Sequence, residues 1–474
     1  MDDSKNVEAL KLLAQASKNR AKAKLRRLAS VRVSPGGYLA AASVLTFSSV
    51  LLLRSNKDLY AMLALAAAWL LLPALALTDR IVFDGESLTR RGPLPFIFQF
   101  ISGKRRRLAV VDFEKVETRT VRTLRRGGRV RYRYRTQILG KGANFVIASG
   151  GKNYRQMVRR LFSLMHEAKI DARTNELREY LTEPRTLARD VKSLRLASPD
   201  VLDNAASELK ERLHNRRSAN SEAATVDDLE RARLLRRLAN ELRVAGRLGE
   251  SREAFRRALI FMPRDALLIY EFARLLRSQA SAMGDERLLF RARAALRLSA
   301  MHAERDAKLL SLIGESLVEC GDISLAQRVL HRAVDVDARS FRGWIELADI
   351  ALREGKLAHV IHHYREAAQV APDKALTAYA RREGDYYARL NDDEDYLATE
   401  LRRINWLQNT SRLRRLAARL ANASILVALV GPYINPTLSS IGWSLASSSL
   451  VAWVSALFAG KLLSDRRKPR PAID

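Results

Sequence analysis

Cysteine is almost absent from this chain of 474 residues, and acidic residues are well outnumbered by basic ones. Cys320 is the only cysteine, so the chain forms no intrachain disulfide, which fits a reducing compartment. Asp and Glu total 52 against 83 Lys and Arg, which gives a formal net charge of +31. Such an excess of positive charge favours an anionic partner, either a membrane surface or a nucleic acid.

The chain also lacks the short motifs that carry catalysis. It has no Walker motif, nucleophile elbow, zinc signature or plausible acid pair. Gly140, Lys141 and Gly142 form a run too short for a phosphate loop, and they indicate a hairpin turn. His359 and His363 share a helix face, but no third metal ligand accompanies them. We therefore expect no catalytic residue, no cofactor and no metal site, and we do not expect an enzyme.

Long apolar stretches, by contrast, are present in two pairs, one near each end of the chain. They cover residues 37–53, 59–77, roughly 416–434, and 438–460. The second stretch carries no charge over about 19 residues, close to the roughly 20 that cross a bilayer. The pattern predicts two membrane hairpins. Gly431, Pro432 and Pro436 interrupt the end of the third stretch, which leaves open whether that stretch crosses or re-enters.

Basic residues flank the apolar pairs on one side. Many lie before the first stretch, after the second and after the fourth, whereas the short connection 54–58 holds only Arg54 and Lys57. The side of a membrane that carries more Lys and Arg is the cytoplasmic side. We therefore expect a multi-pass protein of the bacterial inner (cytoplasmic) membrane, with both termini and all soluble domains in the cytoplasm.

Residues 79–170 have the pattern of short strands followed by one helix. Asp84 and Gly85 mark a tight turn between two strands, further strands are predicted between 108 and 148, and a helix is predicted over 154–168. Several short strands closed by one helix, directly after a membrane hairpin, resemble the bacterial pleckstrin-homology-like (PH-like) domain. The resemblance implies a small β-rich domain set against the membrane.

Two groups of residues suited to a lipid surface follow one another in this part: Phe96, Phe98 and Phe100, then Lys104, Arg105, Arg106 and Arg107. Aromatic rings beside cations fit the interface of an anionic leaflet, at about 1 kcal/mol per basic residue near the surface. The pattern predicts a lipid-interface segment. The alternative is a strand whose Phe face is buried and whose basic loop is merely solvated.

From about Ala232 to Tyr396 the chain repeats every 34 residues. The clearest unit covers 341–374, and its repeat positions are held by Trp344, Leu347, Ala348, Gly355, Tyr364, Ala367 and Pro372. The unit before it matches in register, and two earlier units precede that one, with an insertion around 278–284. The spacing resembles the tetratricopeptide repeat. That resemblance implies an all-α solenoid of helical hairpins, whose first helices line a peptide-binding groove.

Placing the first helices on such a groove makes its N-terminal half basic. The residues on this face are Arg233, Arg236, Asn240, Arg243, Tyr270, Arg274, Arg277 and Lys308. This face suits an acidic segment or a carboxylate bound through charge-assisted hydrogen bonds. Arg236, Asn240 and Lys308 resemble members of the carboxylate clamp of some tetratricopeptide adaptors, although Glu271 stands where that clamp needs an amide. A solvated arginine face is the alternative.

The predicted fold class is a multidomain membrane protein with transmembrane helical hairpins, a small β-rich PH-like domain and an all-α tetratricopeptide solenoid. Its segments are a basic cytoplasmic arm (1–34), a transmembrane hairpin (35–78), the PH-like domain (79–170), a polar helical linker (171–228), the repeats (229–400), a basic juxtamembrane helix (401–415), a second membrane hairpin (416–460) and a basic tail (461–474).

These features predict a membrane-anchored scaffold or adaptor that binds protein partners through its cytoplasmic groove. The expected partners are proteins with acidic segments and anionic lipids, and a homo-oligomer is compatible with the same design. One alternative is a structural component of an envelope-biogenesis or secretion machine. Another is a membrane-tethered nucleic-acid binder, which is disfavoured because the cations are spread over several segments instead of one recognition element.

Overall fold

The computed structural model describes residues 29–33, 36–93, 96, 107–124, 130–141, 143–148, 151–194, 196, 226–433 and 435–463. These residues divide into two compact units. One unit holds the described residues 29–33 and 77–385, and the other holds the described residues of 36–76 and from 386 onward. The first unit contains two small sheets and an array of helical hairpins. The second consists mainly of apolar helices.

The second unit is built from two pairs of long helices. They are α1 (Gly36–Arg54), α2 (Asp58–Thr78), α15 (Glu394–Val430) and α16 (Pro436–Leu463). Each contains a stretch long and apolar enough to cross a membrane. The third is one unbroken α-helix, and a short 3-10 turn, Gly431–Tyr433, joins it to the fourth at the glycine and prolines noted in the sequence. Their apolar side chains are largely exposed, for example Leu70, which is 73% exposed.

Small residues bring α15 and α16 close together. A Cβ atom on Gly442 would lie only 2.6 Å from the backbone nitrogen of Ala428. One turn earlier on α16, the Ser439 hydroxyl donates a hydrogen bond to the Ala428 carbonyl at 3.1 Å. Small residues allow the backbones of two helices to approach closely. Gly442 therefore fixes how α15 and α16 pack.

The strands of the first sheet come from both sides of the first apolar hairpin in the sequence. Its four antiparallel strands lie in the order β1 (Ala29–Arg32), β2 (Arg80–Phe83), β3 (Ser87–Arg91) and β4 (Arg107–Ala109). The first strand falls in the segment that the sequence assigned to the basic arm, and it pairs with the strand that follows the hairpin. The helices α1 and α2 are thus an insertion between two neighbouring strands.

The second sheet and one helix complete the β-rich part. The antiparallel strands are β5 (Lys115–Leu124), β6 (Val130–Gly140) and β7 (Ala143–Ala148), and α3 (Gly151–Phe162) follows them. Phe83, Phe113, Ile138 and Met157 are fully buried in the shared core. The sequence predicts this helix over 154–168, but it ends at Phe162, because the chain then turns to bring Ile170 beside Val116 in a parallel bridge.

Two short helices and nine longer ones follow in the described parts of residues 172–392. The short ones are α4 (Ala172–Tyr180) and α5 (Pro184–Ser193). The described array then runs through α6 (Val226–Val244), α7 (Leu248–Phe261), α8 (Ala266–Met283), α9 (Glu286–His302), α10 (Ala307–Glu319), α11 (Ile323–Val336), α12 (Phe341–Arg353), α13 (Leu357–Val370) and α14 (Lys374–Asp392).

The array has the tetratricopeptide-like form that the repeat predicts. Gly321 and Gly355 adopt positive φ angles of 79° and 74° at the turns after α10 and α12, a conformation that suits glycine. Within the hairpin of α10 and α11, a Cβ atom on Gly314 would lie 2.5 Å from Leu330 Cγ. The small residue therefore lets the two helices touch. The two repeat glycines end the first helices, as the sequence pattern indicates.

Replacing Gly442 with leucine should destabilise the pair α15–α16 by about 1–3 kcal/mol, because the side chain must displace the Ala428 backbone. Chemical denaturation of the full chain in detergent micelles, followed by circular dichroism, measures this cost. Gly37→Leu is the matched control, because a Cβ atom at that helical glycine meets nothing within 4 Å. Equal losses in both variants would contradict close packing at Gly442.

Candidate binding face of the helical array

The first helices of the hairpins form one continuous face, which we call the first-helix face: α6, α8, α10 and α12. Residues 167–180 of the same chain, which we call the internal segment, lie against this face. Ala172 donates its backbone N–H to Glu315 on α10 at 3.2 Å. Tyr180 donates its hydroxyl to Glu271 on α8 at 2.8 Å. The internal segment therefore contacts successive hairpins of the array.

Glu176 is the central contact of the internal segment. One of its carboxylate oxygens lies 2.9 Å from Arg243 Nη2 on α6 and 2.7 Å from Arg274 Nε on α8. Both arginines are 6% exposed. Burial alone would raise the pKa of Glu176, but the two guanidiniums outweigh it and hold that pKa below its usual range. The carboxylate is therefore ionised and neutralises buried positive charge.

Further ion pairs extend this contact along the array. Glu167 pairs with Lys308 on α10, and Arg173 Nη2 lies 3.7 Å from a carboxylate oxygen of Glu319 on the same helix. Lys169, buried, lies 2.9 Å from Asp373 at the start of α14. These pairs are spread from the first repeats to the last helix of the first unit.

The β-rich part itself adds a bidentate pair at the far end of the array. Both carboxylate oxygens of Glu114, just before β5, accept hydrogen bonds from the Arg382 guanidinium on α14, at 3.0 and 2.9 Å. Two parallel hydrogen bonds between a guanidinium and a carboxylate fix the relative orientation of the two groups and also pair their charges. The domain and the array are thus joined through side chains far apart in sequence.

The structure brings six of the eight predicted groove residues around one cavity of about 280 Å³. Its lining includes Arg236, Asn240, Arg243, Tyr270, Arg274 and Lys308. Arg277 lies outside this cavity and pairs with Glu319. Arg233 is exposed and lines neither this cavity nor the one that contains Arg277. The prediction of a peptide-binding groove stays a prediction, and its basic residues have acidic neighbours from their own chain.

Hydrogen bonds within the cavity fix several of these side chains. Asn240 donates to the Arg236 carbonyl at 3.1 Å and accepts from Arg243 at 3.0 Å. Arg274 donates to the Tyr270 hydroxyl at 2.9 Å. Arg236 Nε lies 3.6 Å from a carboxylate oxygen of Glu271, whose pKa is raised by burial in spite of that arginine. The amide of Asn240 is therefore engaged by its own helix.

The predicted lipid-interface residues fall only partly in the described chain. Phe96 is 60% exposed. Arg107, at the start of β4, donates from Nε to the Ser87 hydroxyl at 2.9 Å and keeps most of its side chain in solvent. Phe98, Phe100, Lys104, Arg105 and Arg106 lie outside the described residues. Contact with lipid stays a prediction for the whole segment.

Two acidic side chains with raised pKa values lie on the first-helix face or on the internal segment against it. Glu346 on α12 is half-buried, and burial, followed by repulsion from Glu315 and Asp349, raises its pKa to about 8. Asp171, which caps α4 by accepting from the Thr174 N–H at 3.1 Å, has a pKa raised to about 6, chiefly by burial. Sequence reasoning missed both groups, because neither carboxylate stands in a recognisable motif.

Solved structures resemble parts of this chain at low overall similarity. The crystal structure of MamA protein is 15% identical with a TM-score of 0.26, over 36% of this chain and 95% of that one. The MamA RS-1 ArsTM double mutant is 17% identical with a TM-score of 0.25, over 39% of this chain and 93% of that one. The APC/C hetero-tetramer Cut9-Hcn1 is 13% identical with a TM-score of 0.28, over 66% and 52%. No family model and no curated protein matches the sequence.

Removing the Glu176 charge should cost about 3 kcal/mol of unfolding free energy, because Glu176→Gln leaves two buried guanidiniums without their carboxylate. Arg274→Gln should cost a similar amount. The double variant should lose less than the sum, with a coupling of about 2 kcal/mol. Denaturation of the full chain in detergent measures the cycle. Glu179→Gln, on a residue that is 43% exposed, should change stability by under about 0.5 kcal/mol. Additive losses would contradict a direct ion pair.

Glu346 should make the fold less stable as pH rises. Its ordinary pKa is 4.5 and its folded pKa is about 8, so between these values the unfolded chain releases a proton that the folded chain retains. The stabilising contribution of the protonated Glu346 to the free energy of unfolding is fully present below pH 4.5 and is lost by about pH 8. The free energy of unfolding of Glu346→Gln, taken relative to that of the parent chain, should therefore be higher at pH 8 than at pH 5. Glu230→Gln, at an exposed position on α6, is the control, and an equal gain there would contradict the assignment.

Proposed function

We propose that this chain is a membrane-anchored scaffold that binds protein partners through its tetratricopeptide-like array. The observation that carries the proposal is the presence, in one chain, of a repeat array with a basic face and four helices long and apolar enough to span a membrane. The distribution of Lys and Arg supports a bacterial inner-membrane location with both termini in the cytoplasm. The two sheets and α3 are proposed to form a PH-like domain.

The proposed ligand is an acidic segment of a partner protein. Arg236 and Lys308 stand at the cavity of about 280 Å³ with more exposure than Arg243 and Arg274, since the Lys308 side chain is 66% exposed. A carboxylate from a partner is proposed to bind these two cations first. Charge-assisted hydrogen bonds to ionised groups are about twice as strong as neutral ones.

The internal segment supports the same chemistry, because it already supplies carboxylates to this face. Glu176 occupies the position between Arg243 and Arg274 that a partner's carboxylate is proposed to take. Glu167 holds Lys308 in the same way. We therefore propose that partners compete with the internal segment, so that affinity depends on how firmly residues 167–180 are held.

The proposed lipid contact lies in the PH-like domain. Phe96 and the cations Lys104 to Arg107 are proposed to meet an anionic leaflet, with the aromatic ring at the interface and the charges at the headgroups. The exposure of Phe96 and of the Arg107 side chain supports this role.

A labelled hexaglutamate peptide should bind the full chain in neutral-lipid nanodiscs, and fluorescence anisotropy measures its affinity. Arg236→Gln and Lys308→Gln should each weaken binding about tenfold, because each removes one charge-assisted contact worth roughly 1.4 kcal/mol. Arg237→Gln is the matched control, since that residue lies on the same helix, is 73% exposed and does not line the cavity. Absence of binding, or an equal loss with Arg237→Gln, would overturn the proposed groove.

A further inference from the structure

A second cavity, of about 200 Å³, lies between the second sheet and the helical array. Strands β5 and β6 line one side, and α4, α6 and α8 line the other. Five arginines from these elements surround it: Arg122, Arg173, Arg243, Arg274 and Arg277. Arg122 and Arg277 belong to this cavity and not to the one described above. The β-rich domain and the array therefore build a basic chamber together.

The charge in this chamber is not balanced by the carboxylates near it. Glu176 lines the cavity, and Glu319 pairs with Arg173 and Arg277. Of the residues that line the chamber, five are arginines and one, Glu176, is a carboxylate. Glu319, Glu315 and Glu271 lie outside the lining, near Arg277, Arg274 and Arg243 respectively. Burial, followed by repulsion from Arg173 and Arg274, lowers the pKa of Arg277 to about 10. Crowded like charges in a partly enclosed space attract a multivalent anion.

A buried donor supplies an independent observation. Arg243 is 6% exposed, and its Nε has no hydrogen-bond partner among the described residues. A buried N–H without a partner is costly, and an anion held in the chamber would supply its acceptor. At the outer side of the chamber, Arg122 of β5 donates a hydrogen bond to the Ser281 hydroxyl on α8 at 2.8 Å. This bond holds the Arg122 guanidinium against α8.

We propose that this chamber binds a phosphate group. Guanidinium groups match phosphate oxygens in charge and in forked geometry, and the excess of positive charge favours a dianion over a single carboxylate. The group comes either from free inorganic phosphate or from the headgroup of a phospholipid. Bound phosphate would link β5, through Arg122, to α6 and α8, through Arg243 and Arg277. The two proposed sites share Glu176, Arg243 and Arg274, but Arg122 and Arg277 line only this chamber, and Arg236 and Lys308 line only the first cavity. Variants of these unshared residues therefore test the two proposals separately.

Isothermal titration of the full chain in phosphatidylcholine nanodiscs with inorganic phosphate tests the proposal, at constant ionic strength set with chloride. Arg277→Gln and Arg122→Gln should each weaken binding about tenfold, which corresponds to roughly 1.4 kcal/mol. Arg122 is exposed, so its variant keeps the test valid if Arg277→Gln unfolds. Arg233→Gln is the control, because Arg233 is exposed and lines neither cavity.

A second arm distinguishes the sources of the phosphate. Flotation with vesicles of phosphatidylcholine containing phosphatidate measures headgroup binding by the same variants. Loss of vesicle binding in Arg122→Gln and Arg277→Gln, with no binding of free phosphate, assigns the site to a lipid headgroup. Binding of free phosphate that these variants weaken assigns it to the soluble anion. The proposal is overturned if neither ligand binds, or if Arg233→Gln weakens binding as much as the chamber variants. Hexaglutamate binding that depends on Arg236 would survive this failure.

Discussion

The buried carboxylate of Glu176, placed between Arg243 and Arg274, is the interaction on which the arrangement of the first unit depends. Two guanidiniums withdrawn from water are costly unless a carboxylate accompanies them. No residue of the repeats supplies that carboxylate, because it comes from α4, ahead of the array in sequence. Burial of the two arginines and the position of the internal segment therefore require one another.

This constraint changes what the repeat array offers to a partner. In a bare array the basic face would be open along its length. Here, residues 167–180 contact it from Arg243 on α6 to Glu319 on α10, and Glu114 pairs with Arg382 on α14, beyond that face. The proposed binding face would therefore be a composite, made by the array and the internal segment. A scaffold of this kind would bind through competition with its own segment and through the chambers that the two parts enclose.

The sequence predicts those elements whose signal is local. The period of the repeat, the turn at Asp84 and the apolar length of the four helices each follow from residues close together in the chain. Strand β1 was not predicted, because Ala29–Arg32 is short and pairs with β2 only across an inserted hairpin. The α3 boundary shifted for a related reason, since the bridge between Val116 and Ile170 is a long-range contact. The repeat also predicts that Arg243 and Arg274 lie on the same face of the array. It did not predict Glu176 as a partner, because a polar segment between two domains carries no local sign of what it contacts.

Hydrogen exchange of the full chain, read by mass spectrometry, tests the central role of the internal segment most directly. If Glu176 anchors the segment, amides of α4 should be protected to a similar degree as those of α8, and Glu176→Gln should speed exchange in α4 and in the facing turns of α6 and α8 together. An α4 that exchanges as fast as an exposed helix in the parent chain, or that is unaffected by Glu176→Gln, would contradict the account.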